Sequence, residues 1–277
     1  MNALKQHTLA REFTLRGVGL HTGSNCAVTV SPAPADAGFS FPLPGGGAIA
    51  ATPDAVRSTT RCTALGGPGG TVNTVEHVLA ALSGMGVDNA AIAVEGGEVP
   101  ILDGSALPFA QEIANVGLRE QPNERRYLEL REPAWFEEDG KLLAVLPADE
   151  FSISFFVAFP EPVGHQFLAT PAITPDYFLT EIAPNRTFGF RHEIDALASQ
   201  GLARGGSLDN AVVIDTDSYM TPLRFPDEIV RHKALDLIGD FALIGMPLRA
   251  RVVAVKSGHA LHVAAARTLR ALLAPAN

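Results

Sequence analysis

A chain of 277 residues, 47% hydrophobic and 18% charged, carries enough apolar matter for one large or two ordinary domains, which excludes a disordered chain. A formal net charge of −9 without a dense Lys/Arg run excludes bulk attraction to nucleic acid, so an anionic substrate has to be held by a few placed cations. Cys26 and Cys62 are the only cysteines, too few for a disulfide framework or a thiolate metal site. With no signal-peptide core and no membrane-length apolar window, the expectation is a cytoplasmic protein without stable membrane insertion.

From Thr8 to Pro32 the pattern is short strands around GVGLHTG, Gly17 to Gly23, whose glycines permit a tight turn at His21. A lone turn histidine is ordinarily structural. Residues 33–48 are rich in Pro and Gly and predict a loop with little structure of its own. In TVNTVEHVLAALSGMGVDN, Asn73 or Thr74 can cap a helix, and Glu76 suits a capping box. Val75, Val78, Leu79 and Leu82 form its buried side, and Gly84 and Gly86 end it. Asn89 to Gly97 alternates as a strand, and Asp103-Gly104-Ser105 turns into a helix from Leu107 to Val116. The polar stretch 117–126, with Pro122, is the expected boundary between domains over 1–120 and 121–277.

Beyond it, strands are expected within Tyr127–Phe136, Leu142–Leu146 and Ser152–Phe159, with a hairpin at Asp139-Gly140. A short helix is expected around Pro175–Ile182. In RFPDEIVRHKALDLIGDFALIG, Pro226 and Asp227 mark a helix entry, and Gly245 followed by Pro247 marks its exit. A strand, LRARVVAVK, and a helix, GHALHVAAARTLRALLA, complete the chain. In each half a helix bearing a histidine precedes a strand and a second helix, and strands and helices are segregated. The fold class is therefore α+β, in two domains.

His232, Asp236 and Asp240 fall at steps of four, one above another on a helix face. Two carboxylates in apolar surroundings are costly without a cation, although the same column also reads as a solvated polar stripe. With His77 from the other half, His232 and Asp236 make two imidazoles and a carboxylate around an open fourth position, the donor set of hydrolytic zinc. Such a set also accepts iron. Glu76, beside His77, would then be the general base. His259, following Gly258, would be the acid or a cationic stabiliser of the oxyanion, oriented by Asp240, with a hydroxyl from Thr187. Taken singly, Glu76 and His77 also fit simple capping, His259 a cap, and Thr187 a strand position.

The motifs GVGLHTG, TVEHVLAAL, ILDGSA, RTFGF, GGSLDNAVV, RFPDEIVRHKALDLIGD and KSGHAL, in that order, resemble the UDP-3-O-acyl-N-acetylglucosamine deacetylases, zinc amidases that commit Gram-negative bacteria to lipid A synthesis. The resemblance implies two domains of similar topology, each a β-α-α-β sandwich with a small insert, and an active site at their interface. It implies zinc on His77, His232 and Asp236, Glu76 as base, His259 as acid with Asp240 as its partner, and Thr187 at the oxyanion. Lys233 corresponds to a lysine near the substrate diphosphate, and Lys141, Phe159, Phe190 and Lys256 to contacts with the UDP-sugar. Phe188 and an insert at about residues 190–215 correspond to an acyl passage, where Leu202, Ala203, Gly206, Ser207, Leu208 and Ala211 would line a narrow apolar bore. His262 stands where the resemblance leads one to expect asparagine, a departure expected to touch the last helix and not the chemistry. The implied reaction releases acetate from the 2-acetamido group of an acylated UDP-glucosamine, carried out by a monomer. Two other readings remain: a non-catalytic relative that binds acylated nucleotide sugar, and a zinc amidase of this fold with a different nucleotide-sugar substrate.

Overall fold

The two longest strands come from alternating apolar stretches, Asn25–Pro32 and Leu248–Val255, and each lies inside one of the two large sheets. The computed structural model describes residues 4–273, so the outermost ends of the two expected domains lie outside the described residues. The first part of the chain runs β1 (Lys5–Leu9), β2 (Phe13–Val18), β3 (Asn25–Pro32), β4 (Phe39–Pro42), β5 (Ala48–Ala50), β6 (Val56–Ser58), β7 (Ala64–Gly67), β8 (Gly70–Val72), α1 (Glu76–Gly84), β9 (Ala90–Glu95), α2 (Leu107–Val116) and β10 (Leu118–Glu124). The second continues with β11 (Leu128–Glu129), β12 (Ala134–Glu138), β13 (Lys141–Pro147), β14 (Ser152–Ala158), β15 (His165–Ala169), α3 (Pro175–Tyr177), β16 (Phe188–Phe190), α4 (Arg191–Ser199), β17 (Val212–Ile214), α5 (Glu228–Ala242), β18 (Leu248–Val255) and α6 (His259–Ala271).

The chain is mixed α+β. One large sheet has the order β2-β3-β9-β4-β5, and the other β12-β13-β18-β14-β15 with β11 alongside β18. Asp139-Gly140 closes the β12–β13 hairpin, in which Glu138 faces Lys141. Inward residues of both sheets, such as Val28, Ile92, Val145 and Phe155, join one continuous core with Leu79 and Leu82 of α1 and Leu235 and Ile238 of α5. The order helix, strand, helix recurs as α1-β9-α2 and α5-β18-α6.

The place where α1 meets α5 decides how the site is built. A Cβ added at Gly239 would lie 2.1 Å from the carbonyl oxygen of Glu76, so only glycine lets α5 come this close to the start of α1. The entry of α5 is clamped from the side. Glu228 is fully buried and accepts from the Arg186 backbone N–H at 3.0 Å, from Arg186 Nε at 2.9 Å and from the Arg224 N–H at 2.7 Å. That ties the segment before β16 to the first turn of α5.

Four local expectations change. Neither Asn73 nor Thr74 caps α1: the N-cap is Val75, and Thr74, at φ 59°, turns its hydroxyl to Glu98 at 3.0 Å. Residues 33–48 are no simple loop, because Phe41 and Ile49 are buried and draw the segment into the β4–β5 hairpin, with β4 parallel to β9. The polar stretch 117–126 contains β10, antiparallel to β1, whose buried residue Gln121 bonds Asn89 and the Ala33 carbonyl. The Pro175–Ile182 helix is one α turn, α3, continued as a π-helix over Phe178–Ile182.

Candidate active site

The first turn of α1 carries Glu76 and His77, and α5 carries His232, Asp236 and Asp240 one turn apart, with Lys233 next to His232. Their approach brings three donors together. His232 Nε2 lies 3.3 Å and His77 Nε2 3.8 Å from Asp236 Oδ1, all three side chains are buried, and the three donor atoms lie within 4.8 Å of one another. The imidazoles stand edge to face with centroids 5.1 Å apart. His232 Nδ1 bonds the Asn185 carbonyl oxygen at 3.1 Å, which puts its hydrogen on Nδ1 and leaves the Nε2 lone pair toward Asp236.

Electrostatics keep the trio in donor form. Burial, then the neighbouring His232, pushes His77 down to about 3, and burial likewise lowers His232. Burial pushes Asp236 the other way, yet His232 and Lys233 outweigh it and hold the carboxyl well below its usual range. Two neutral imidazoles and one carboxylate, buried and converging, fit a divalent metal ion.

Two further groups flank the trio. Burial, with the charges of Asp236 and Asp240, raises Glu76 to about 7 against the lowering effect of His259, and its Oε2 accepts from the Thr63 N–H at 3.0 Å. His259, at the start of α6, shows the opposite balance: burial lowers it, but the charge and hydrogen bond of Asp240, with Asp236, raise it to about 9. The His259 Nδ1 to Asp240 Oδ2 distance is 2.8 Å. A carboxyl that titrates near neutrality facing an imidazolium is the pairing that base and acid catalysis uses, each group set by its surroundings.

A cavity of about 590 Å³ opens over these groups, lined by Glu76, His77, His232, Lys233, Asp236 and His259, and also by Thr187, Lys141, Phe159, Phe188 and Phe190. The three phenylalanines form one wall, with ring centroids 5.4 to 6.4 Å apart. Lys233 reaches the cavity but binds Asp236 Oδ2 at 2.6 Å. Asp240 is wholly buried behind His259, outside the cavity lining. Lys256 is exposed and also outside the lining, next to Ser257, which does line it.

The insert residues Leu202, Ala203, Gly206, Ser207, Leu208 and Ala211 are not brought to this lining. They follow α4 in a segment tied to the GVGLHTG turn, where Arg204 N–H donates to the His21 carbonyl and Gly205 N–H to that of Leu20. Leu20 itself lines the cavity. Sequence reasoning missed Thr63, Asn185 and Ser257: Asn185 acts through a backbone carbonyl and Thr63 through its N–H and hydroxyl, which no motif announces, while Ser257 sits within KSGHAL without a role being read from it. His262 corrects an expectation. Its Nδ1 lies 2.9 Å from the Asp240 oxygen that His259 also engages, so it touches the site and not merely the last helix.

Residues 6–271 match the family described as LpxC, UDP-3-O-acyl N-acetylglycosamine deacetylase. The chain belongs to this family. It is 44% identical over 265 residues to the UDP-3-O-acyl-N-acetylglucosamine deacetylase of Nitratidesulfovibrio vulgaris, covering 94% of this chain and 85% of that one. Proteins of the same name from Anaeromyxobacter dehalogenans and a Nostoc species are each 45% identical, over 95% and 97% of this chain and 87% and 99% of theirs. The buried trio His77, His232 and Asp236, together with Glu76 and His259, lies within the matched span. Among the described residues no helix is long and apolar enough to cross a membrane.

Proposed function

We propose that the chain hydrolyses the 2-acetamido group of UDP-3-O-(hydroxyacyl)-N-acetylglucosamine to the free amine and acetate, the committed step of lipid A synthesis, in the cytoplasm. The observation that carries this reading is the convergence of His77, His232 and Asp236 from two helices, with Glu76 and His259 beside them, in a chain of the deacetylase family. His77, His232 and Asp236 would hold the ion, zinc by donor type. Bound there, it would supply Lewis acidity toward the acetamide carbonyl and toward water.

The protein's own groups carry the protons. Glu76, held by the Thr63 N–H, takes a proton from the attacking water as the new carbon–oxygen bond forms. His259, held by Asp240, gives a proton to the departing nitrogen as the carbon–nitrogen bond breaks. Thr187, on the cavity wall, offers its hydroxyl to the developing oxyanion. Lys233 and Lys141 supply placed cations for the diphosphate, and Phe159, Phe188 and Phe190 an apolar wall for the sugar and its chain. Lys256 would add a further contact at the cavity's rim, and the insert with Leu202, Ala203, Gly206, Ser207, Leu208 and Ala211 would guide the acyl chain. The site would lie between two sandwich domains over 1–120 and 121–277, in a monomer.

Metal analysis of the purified chain, combined with acetate release from the acylated UDP-sugar, tests the reading. Stoichiometric zinc and turnover that depends on the acyl chain are expected. A chain that binds the sugar but releases no acetate when metal-loaded would establish a binding protein instead, and equal turnover of unacylated or differently based nucleotide sugars would move the substrate.

A further inference from the structure

Asp240 is wholly buried, and among the described residues the hydrogen bonds to its carboxylate come from side chains. Oδ1 accepts the Thr63 hydroxyl at 2.6 Å. Oδ2 accepts twice, from His259 Nδ1 at 2.8 Å and from His262 Nδ1 at 2.9 Å. An ionised carboxylate only accepts, so both Nδ1 atoms carry hydrogen. The two histidines are three residues apart on the first turn of α6 and so share a face, which is how one aspartate of α5 engages both.

Their far nitrogens differ. His259 Nε2 points to the cavity, 3.8 Å from Asp236 Oδ2. His262 is fully buried with its ring edge against Phe155, and its Nε2 meets Ser257 Oγ at 2.8 Å. With Nδ1 protonated and burial lowering its basicity, His262 is a neutral imidazole whose Nε2 accepts the serine proton. The result is an ordered run of donors from Ser257 to His262 to Asp240, ending on the oxygen that also holds His259.

We propose, on the deacetylase reading above, that His262 is a positioning residue: acting through Asp240, it fixes the direction in which His259 presents Nε2 to the substrate. A neutral donor suits the task. A cation here would divide the field of Asp240 between two partners, and an apolar residue would leave Oδ2 one donor short and the carboxylate freer to turn. Asp240 sets the tautomer of His262, and Ser257 donates to the Nε2 that this tautomer leaves free, so it belongs to the same device.

The test uses the full metal-loaded chain, with His262→Leu, His262→Asn and Ser257→Ala, read by steady-state acetate release, metal content and the downfield proton NMR signals of buried imidazole N–H groups. Asparagine places its amide nitrogen where Nδ1 stands, so it keeps the donor. His262→Leu should lower kcat about tenfold or more while KM stays within about twofold and metal content holds, the size expected when a group behind a catalytic one is lost. It should also remove one downfield signal and move that of His259. His262→Asn should recover most of kcat, and Ser257→Ala should lose about two- to threefold in kcat at constant KM. Unchanged kcat in His262→Leu, an equal loss in His262→Asn, or a KM that rises in step with the loss of kcat overturns the inference. Should the leucine variant not fold, Ser257→Ala decides: a kcat loss at constant KM supports the role, and an unchanged kcat removes it. An inactive wild type would sink the deacetylase reading and this inference together, whereas an active wild type indifferent to these changes sinks this inference alone.

Discussion

The floor of the cavity and the insert beside it are built on opposite plans. On the floor, His77, His232 and Asp236 are buried side chains on two packed helices, with Asp240 buried behind them, and His232, Asp236 and Asp240 are held by hydrogen bonds to side chains or to a backbone carbonyl. In the insert, α4 has no buried residue among those described, and the segment behind it is held by backbone bonds to the GVGLHTG turn. Positions on the floor are over-determined by packing and charge, so single changes there are costly. Within the insert, α4 and residues 202–209 are fixed by their backbone path, so their side chains can vary at small cost to stability, whereas Val212 and Ile214 behind them are buried.

The largest expected effect tests the floor directly. Glu76→Gln keeps the hydrogen-bonding shape of the side chain but removes its basicity, so turnover should fall by about 10²- to 10⁴-fold with metal content unchanged. Acetate release and metal analysis on the same sample check this. Full turnover in the glutamine variant would remove Glu76 from the chemistry. Stripping the metal with a chelator should abolish turnover, and stoichiometric zinc should restore it.

Next comes the clamp on α5. Glu228→Gln leaves the Arg186 guanidinium buried without its carboxylate, and breaking a buried pair from one side costs about 3–5 kcal/mol. Chemical denaturation measures it. The loss should be attended by weaker metal retention, because the residue before Arg186, Asn185, orients His232. A shift of less than about 1 kcal/mol would place the clamp among surface pairs.

The contact between α1 and α5 gives a third test of the floor. In Gly239→Ala the new methyl would meet the Glu76 carbonyl oxygen at 2.1 Å, so the helices must separate. Overpacking of this kind costs about 1–3 kcal/mol. Because the separation moves His77 away from His232 and Asp236, metal affinity should drop as well, which a substitution equally destabilising but distant, in the β4–β5 hairpin for example, should not reproduce.

The same contrast explains what the sequence reveals. The entry and exit of α5 and its four-residue column are legible because a helix repeats its face and Pro and Gly mark its ends. α5 runs from Glu228 to Ala242 with His232, Asp236 and Asp240 buried along it. The meeting of His77 with that column follows from a close helix contact that no local pattern announces; there His77 enters as the third ligand from the donor set, and the family likeness implies the same residue. Local pattern misleads where one polar residue is the buried one, as with Gln121 in β10, or where Pro and Gly surround a few core anchors, as with Phe41 and Ile49 in the β4–β5 hairpin. It is silent on groups that act through the backbone or a single hydroxyl, such as Asn185 and Thr63.

The smallest expected effect lies in the insert and sharpens the comparison most. Leu208 is about half-exposed, with 45% of its surface accessible, so Leu208→Ala removes little packing and should change stability by less than about 0.5 kcal/mol. If the insert guides the acyl chain, the same substitution should still raise KM for long-chain substrates more than for short ones, because the lost contact is apolar area that only a long chain covers. Turnover measured over a series of acyl lengths separates the two possibilities. A uniform KM across the series would leave the insert a structural annex to the GVGLHTG turn, and the acyl chain would then have to run along the wall of Phe159, Phe188 and Phe190, the apolar surface that already faces the cavity.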